Sequence, residues 1–258
     1  MTGTLAVVPR HSAEENLRPS PLDPPAFLHW VCGGWGRTAL LLALVALPPA
    51  LADWGVRAAA GLGSEELARA ALERQLAAEG LSVGSLSEAE LAQARFTMTL
   101  LRWTFDNRVW LGTASGLVGI LGLATILYMA FAFVQSSTSW HRAVVVTAYA
   151  WLVVVLLRVG LLVLVALLRP PTVDDYVAGA IVEASAALFY QDGASVPLRA
   201  LLEGLDTLRL LGLTLIACYW PVVSRNDSLS PALSFTVVMG LYAAYLAVRV
   251  AASALLGL

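Results

Sequence analysis

Apolar residues fall into five long blocks separated by polar breaks. A helix crossing a bilayer needs about 20 mostly apolar residues. Blocks of that size run from about Thr38 to Ala58, Trp110 to Val134, Ala143 to Leu168, Leu201 to Val222, and from Pro231 or Leu233 to the C-terminus. The pattern predicts an all-α polytopic membrane bundle with five transmembrane helices. Pro48 and Pro49 interrupt the first block. A proline pair removes backbone hydrogen bonds, so a kink is expected there, tolerated where neighbouring helices surround it.

The polar breaks carry helical signals of their own. Gly63-Ser64-Glu65-Glu66 opens a pattern that Gly80 closes, and Ser87-Glu88-Ala89-Glu90 fits a capping box before a second one. Leu91, Ala94, Met98 and Leu101 fall on one face of that second helix, so residues 61–109 read as a helical hairpin against the outer surface. A third amphipathic helix is expected from Thr172 to about Tyr190, within an outer loop of residues 169–200, either on the interface or re-entering the membrane. Residues 1–36 contain Pro and Ser and lack the basic start and apolar run of a signal peptide. They read as a cytoplasmic tail, and residues 37–258 as the five-span membrane domain.

Composition fixes the solvent. Of 258 residues, 59% are hydrophobic and 13% charged, too few polar side chains to cover a water-soluble globule. All sixteen basic residues are Arg against eighteen acids, so no basic field favours nucleic acid. Cys32 and Cys218 form no CxxC and read as small apolar residues. Arg37, Arg142 and Arg225 flank the short connections on the N-terminal side, while the Arg residues of the long segment are balanced by acids. The positive-inside rule then puts the N-terminus in the cytoplasm and the C-terminus outside. Trp30, Trp35, Trp54, Trp103, Trp110, Trp140 and Trp220 fall near span ends, where amphipathic rings prefer the headgroup level.

Charge inside a span costs at least about 2.5 kcal/mol near its centre, so such residues are the first place to look for function. They are Asp53, Arg57, Arg158, Glu203, Asp206, Arg209 and Arg249. At a rise of about 1.5 Å per residue, Asp53, Arg158, Asp206, Arg209 and Arg249 fall in one outer layer of four different spans. One reading is a polar network lining an outward-opening cavity, with Asp53 and Asp206 as counter-ions to the arginines. The simpler reading, which the sequence favours, is that the charges pair or snorkel and hold the bundle together, with Arg158 to Asp206 as the expected pair. Gly112, Gly116, Gly119 and Gly122 let the second span pack closely, within the bundle before any dimer seam.

Catalytic patterns fail. Gly112-Thr-Ala-Ser115-Gly116 is not a GxSxG elbow, and His11, His29 and His141 lie in the tail or at span edges, away from any nucleophile. No metal, nucleotide or other cofactor motif is present, and an enzyme is not expected.

From the third span onward, Ser136-Ser-Thr-Ser-Trp140-His-Arg142 precedes an apolar span. Leu201-Leu-Glu-Gly-Leu-Asp206-Thr-Leu-Arg-Leu-Leu-Gly212 and Ser224-Arg225-Asn-Asp-Ser228 follow, the latter before the last span. Upstream stand Pro24-Pro-Ala-Phe27, a first span with internal Pro, and the acidic insert Leu86-Ser-Glu-Ala-Glu90. Over about residues 24 to 258 the order resembles the prokaryotic branch of the Yip-domain family, named for proteins that interact with Ypt/Rab GTPases. The loop from Pro170 to Val196 is longer than the family's usual connection. The resemblance implies five spans, a cytosolic N-terminus and a scaffold or adaptor role. Arg-only, Ala- and Leu-rich usage suggests a GC-rich prokaryotic genome, so Rab binding is not carried over. The expectation is a non-catalytic plasma-membrane scaffold whose partners are the bilayer and other integral membrane proteins. An ABC-type exporter is the candidate partner, and a homodimer is open. The alternative is a small transporter or channel subunit binding an anion or lipid headgroup at the Arg/Asp cluster.

Overall fold

The computed structural model describes residues 23–78, 80, 81, 84, 86–134, 138–178, 195–224 and 229–256. Among them are ten helices and no strand. Helix α1 (Pro24–Val31) starts where Asp23 caps Ala26 N and prolines occupy its first turn, where their missing N–H groups cost nothing. It lies within the stretch expected to be tail, held by buried Leu28 and Val31. Helix α2 (Trp35–Ala59) carries Pro48 and Pro49 inside it and closes at Gly61, whose φ of 70° favours glycine. The hairpin follows as α3 (Ser64–Ala78) and α4 (Glu88–Asp106). The Ser87 and Glu90 capping box forms as expected, and Gly80 takes a φ of 71° after α3.

Helices α5 (Arg108–Phe133), α6 (Trp140–Leu168) and α10 (Pro231–Leu256) join α2 as the four helices long and apolar enough to cross a membrane. Short α7 (Val173–Ala178) begins under a Thr172 and Asp175 capping box. The expected continuation to Tyr190 lies outside the described residues, as do most of the first 36 residues and Arg225 to Ser228.

The fourth apolar block departs from expectation. Instead of one helix from Leu201 to Val222, the chain forms α8 (Val196–Gly204), breaks at Leu205 and Asp206, and restarts as α9 (Thr207–Val223).

Helix α6 is the hub, packed by α2, α5 and α9, while α10 lies on α9 and α8 and α3 packs on both α4 and α7. Its first half, Ala143 to Ala150, is buried throughout. Ala, Val and Thr there are small enough for helices to approach from several sides. The core runs through Leu41 and Val45 of α2, Leu127 and Phe131 of α5, Val145 of α6, and Ile216 and Trp220 of α9. Phe131 and Trp220 stack with ring centroids 4.1 Å apart, drawing α5 and α9 together at the end of the bundle that carries α1. Trp220 is fully buried, so it is a core residue and not the interfacial ring its position suggested.

Candidate functional site

The break between α8 and α9 has three causes. Gly204 lies against α10 so closely that a Cβ there would collide with Leu246. Asp206 suits the N-cap of α9, and its Oδ1 accepts from Leu208 N at 2.8 Å and Arg209 N at 3.0 Å. The carbonyl of Gly204, left without a helical partner, accepts from the Tyr242 hydroxyl of α10. The polar groups of the break are thus satisfied by protein, through the Tyr242 hydroxyl and the Asp206 carboxylate.

A cavity of about 320 Å³ lies beside the break. Val45 and Pro49 of α2 form one wall, and Gly112 and Gly116 of α5 another. Arg158 of α6 and Arg209 of α9 project into it beside Asp206. Trp151 packs against Gly212 of α9, where a Cβ would fall 2.6 Å from its Cε3 and 3.0 Å from Val154 Cγ2. That close approach fixes the indole that lines the cavity.

The five expected charges therefore divide. Arg158, Asp206 and Arg209 share the cavity, but the expected Arg158 to Asp206 ion pair does not form among the described residues. Asp206 is instead committed to the backbone of α9. Arg158 is exposed, with no hydrogen bond or salt bridge among the described residues. Arg209 sits 6.0 Å from the Tyr245 ring, a cation–π contact, and likewise lacks a carboxylate partner.

Asp53 is a counter-ion, but to Arg108, whose Nε lies 2.8 Å from its Oδ2. The sequence reading missed Arg108 because it stands at the first position of α5, outside the apolar block. Arg57 Nη1 donates to the Phe105 carbonyl at 2.8 Å, and the Tyr176 hydroxyl donates to the Asp53 carbonyl at 3.2 Å. This group ties α2 to the α4–α5 junction and to α7. Burial, and then the Asp53 charge, push the Tyr176 hydroxyl up to about 12, so it remains a neutral donor.

Arg249 is also paired elsewhere. Its Nη2 donates to Glu203 Oε2 at 2.8 Å, and Arg199 Nε reaches Glu203 Oε1 at 2.9 Å, which fastens α8 to α10.

The glycines divide too. Gly112 and Gly116 face α2, where a Cβ would meet Ala50 at 3.5 Å and Ala46 at 3.8 Å. Gly119 and Gly122 face open space and take no part in packing the bundle. Gly204 and Gly212, whose neighbours leave no room for a side chain, were invisible as packing sites because the crowding comes from helices distant in sequence. Among the described residues no group of three His, Cys, Asp or Glu side chains is placed to hold a metal ion.

In comparison with known proteins, no family model, no curated protein and no solved structure matches the chain.

Proposed function

We propose that the protein is a five-span integral membrane protein of a prokaryotic plasma membrane whose function is binding, not catalysis: it holds an anionic group in the cavity between α2, α5, α6 and α9. One observation carries this reading. The fourth apolar block is broken inside the bundle, and two guanidinium groups that make no salt bridge among the described residues line the cavity beside the break. Broken helices with free termini line substrate sites in many membrane transporters, because their exposed polar groups need a ligand or water. In this reading α8 and α9 together make the fifth span, since the 17 residues of α9 rise only about 25 Å.

The aromatic residues support the membrane setting. Trp35 and Trp54 are exposed and about 28 Å apart along α2, close to the thickness of a hydrocarbon core of about 30 Å. The N-terminus is assigned to the cytoplasm and the hairpin to the outside, following the arginine distribution of the short connections.

A small anion tests the site. The full chain in an uncharged detergent is titrated with dimethyl phosphate, inorganic phosphate and chloride while its thermal unfolding is followed. A ligand that binds only the folded state raises Tm in a saturable way. The wild type is expected to respond to at least one of the three, and Arg158→Gln to lose that response. A wild type that responds to none of them removes the reading.

A second reading, the scaffold implied by the resemblance to Yip-domain proteins, is favoured by α4. Phe96, Leu100 and Trp103 are all more than half exposed and share one face, pointing away from the packed face of Leu91, Met98 and Leu101. Such a stripe suits another membrane protein. A tagged full chain drawn from gentle detergent should then bring a partner that Phe96→Ser with Trp103→Ser releases.

A further inference from the structure

Resting on the binding reading above, we propose that the cavity takes the phosphodiester headgroup of a membrane phospholipid, entering sideways between α5 and α9 with its acyl chains left in the bilayer. Four observations converge on this class of ligand.

Charge comes first. Two arginines and one aspartate line the cavity, and the aspartate is bound to the backbone of α9, so one positive charge is left to balance. A phosphodiester carries a single negative charge at neutral pH, and guanidinium is the side chain best matched to phosphate oxygens. Polarity is the second point. Apart from these three residues the walls are apolar, with Ile120, Val154 and Leu208 beside the glycines. A freely hydrated anion gains little from such walls, whereas the glycerol and upper chain of a lipid would cover them.

Access is the third. Helices α5 and α9 meet at the stacked Phe131 and Trp220 but share no extended contact, and both line the cavity, α5 through Gly112, Gly116 and Ile120 and α9 through Leu208 and Arg209. Gly112 and Gly116 pack toward Ala50 and Ala46 of α2, so among the described residues Ile120 is the side chain that α5 sets on the cavity. Depth is the fourth. Arg158 lies about 27 Å along α6 from Trp140, and Asp53 about 27 Å along α2 from Trp35. Both fall at the level of exposed Trp54, where the aromatic belt of a hydrocarbon core about 30 Å thick, and hence the phosphates, would lie.

Native mass spectrometry of the full chain in an uncharged detergent tests the proposal. Dioleoyl phosphatidylglycerol is compared with dioleoylglycerol, which has the same chains and no phosphate. Wild type is expected to retain the phospholipid about tenfold better, and Arg158→Gln with Arg209→Gln to reduce it to the level of the diacylglycerol, because each arginine contributes charged hydrogen bonds. Leu208→Trp, which narrows the cavity but keeps both arginines, should also lower retention. Equal retention of the two lipids by wild type, or undiminished phospholipid on the double variant, overturns the proposal. If dimethyl phosphate or inorganic phosphate binds and the phospholipid does not, the lipid proposal fails and the anion site stands. If none of them binds, both fail. Should the double variant not fold, Arg158→Gln alone, an exposed side chain with no hydrogen bond or salt bridge among the described residues, and Leu208→Trp decide by the same criteria.

Discussion

Gly212 carries no side chain, and that absence shapes the cavity. The ring of Trp151 occupies the space a Cβ would need. Gly212→Ala must push the indole or the α6–α9 contact aside, at an expected cost of about 1 to 3 kcal/mol for overpacking. Gly119→Ala, facing open space inside α5, should unfold at or slightly above the wild-type temperature in detergent, since alanine favours the helix. The charged residues allow a similar contrast. Asp53 is held by Arg108 and partly shielded, so Asp53→Asn should lower stability by about 0.5 to 1 kcal/mol, a figure discounted because Arg108 is partly exposed. Arg158→Gln should change it by less than about 0.5 kcal/mol, since that exposed guanidinium makes no hydrogen bond or salt bridge among the described residues and acts on the Asp53 carboxylate through its charge alone. Denaturant melts of the two variants check this, and a strongly destabilised Arg158→Gln would mark Arg158 as a structural residue. That Arg158, Asp206 and Arg209 come together beside one cavity was legible from helical rise. Which carboxylate meets which arginine was not, because Asp206 had a local use as a cap that outranks a distant partner.

At the scale of elements, legibility follows the range of the interactions. The α4 capping box could be read directly, since Ser87 and Glu90 satisfy each other within one turn. The same locality gives a pH prediction. Hydrogen bonds from Ser87 hold the Glu90 carboxyl below its ordinary 4.5, and those from Thr172 hold Asp175 below its ordinary 3.8. Folding lowers both values, so the caps contribute fully above the ordinary carboxylate range and are lost as pH falls through the lowered values. Amide protection in the first turn of α4, corrected for the intrinsic slowing of exchange toward acid, should therefore fall as pH drops through the lowered Glu90 value, and Glu90→Gln should flatten that dependence. The break in the fourth apolar block could not be read this way. Leu201 to Val222 has the composition of one continuous helix, and only Leu246 and Tyr242, brought by α10, make Gly204 and Asp206 a stable end and start. Periodicity reports which residues suit a helix, not which carbonyl finds a hydroxyl on a later one.

For the whole molecule, the apolar blocks needed no tertiary information, because the bilayer acts on composition and length before any packing occurs. Four of the five blocks became single long helices. The fifth became α8 and α9, and whether that pair crosses decides the side on which α10 ends. With five crossings the hairpin lies opposite the connection between α5 and α6, and the C-terminus lies on the side of the hairpin. Single cysteines at Ser87, Ser139 and Ala251, in a Cys32→Ala and Cys218→Ala background, separate the possibilities in intact cells with a membrane-impermeant maleimide. Ser87→Cys and Ala251→Cys should label from outside, and Ser139→Cys only after permeabilisation. If α8 and α9 instead re-enter on the hairpin side, the start of α10 must also lie outside. Leu229→Cys would then label in intact cells and Ala251→Cys only in permeabilised ones. That outcome would also remove the aligned depth on which the shared layer of Arg158 and Arg209 depends, so the topology measurement bears directly on the binding site.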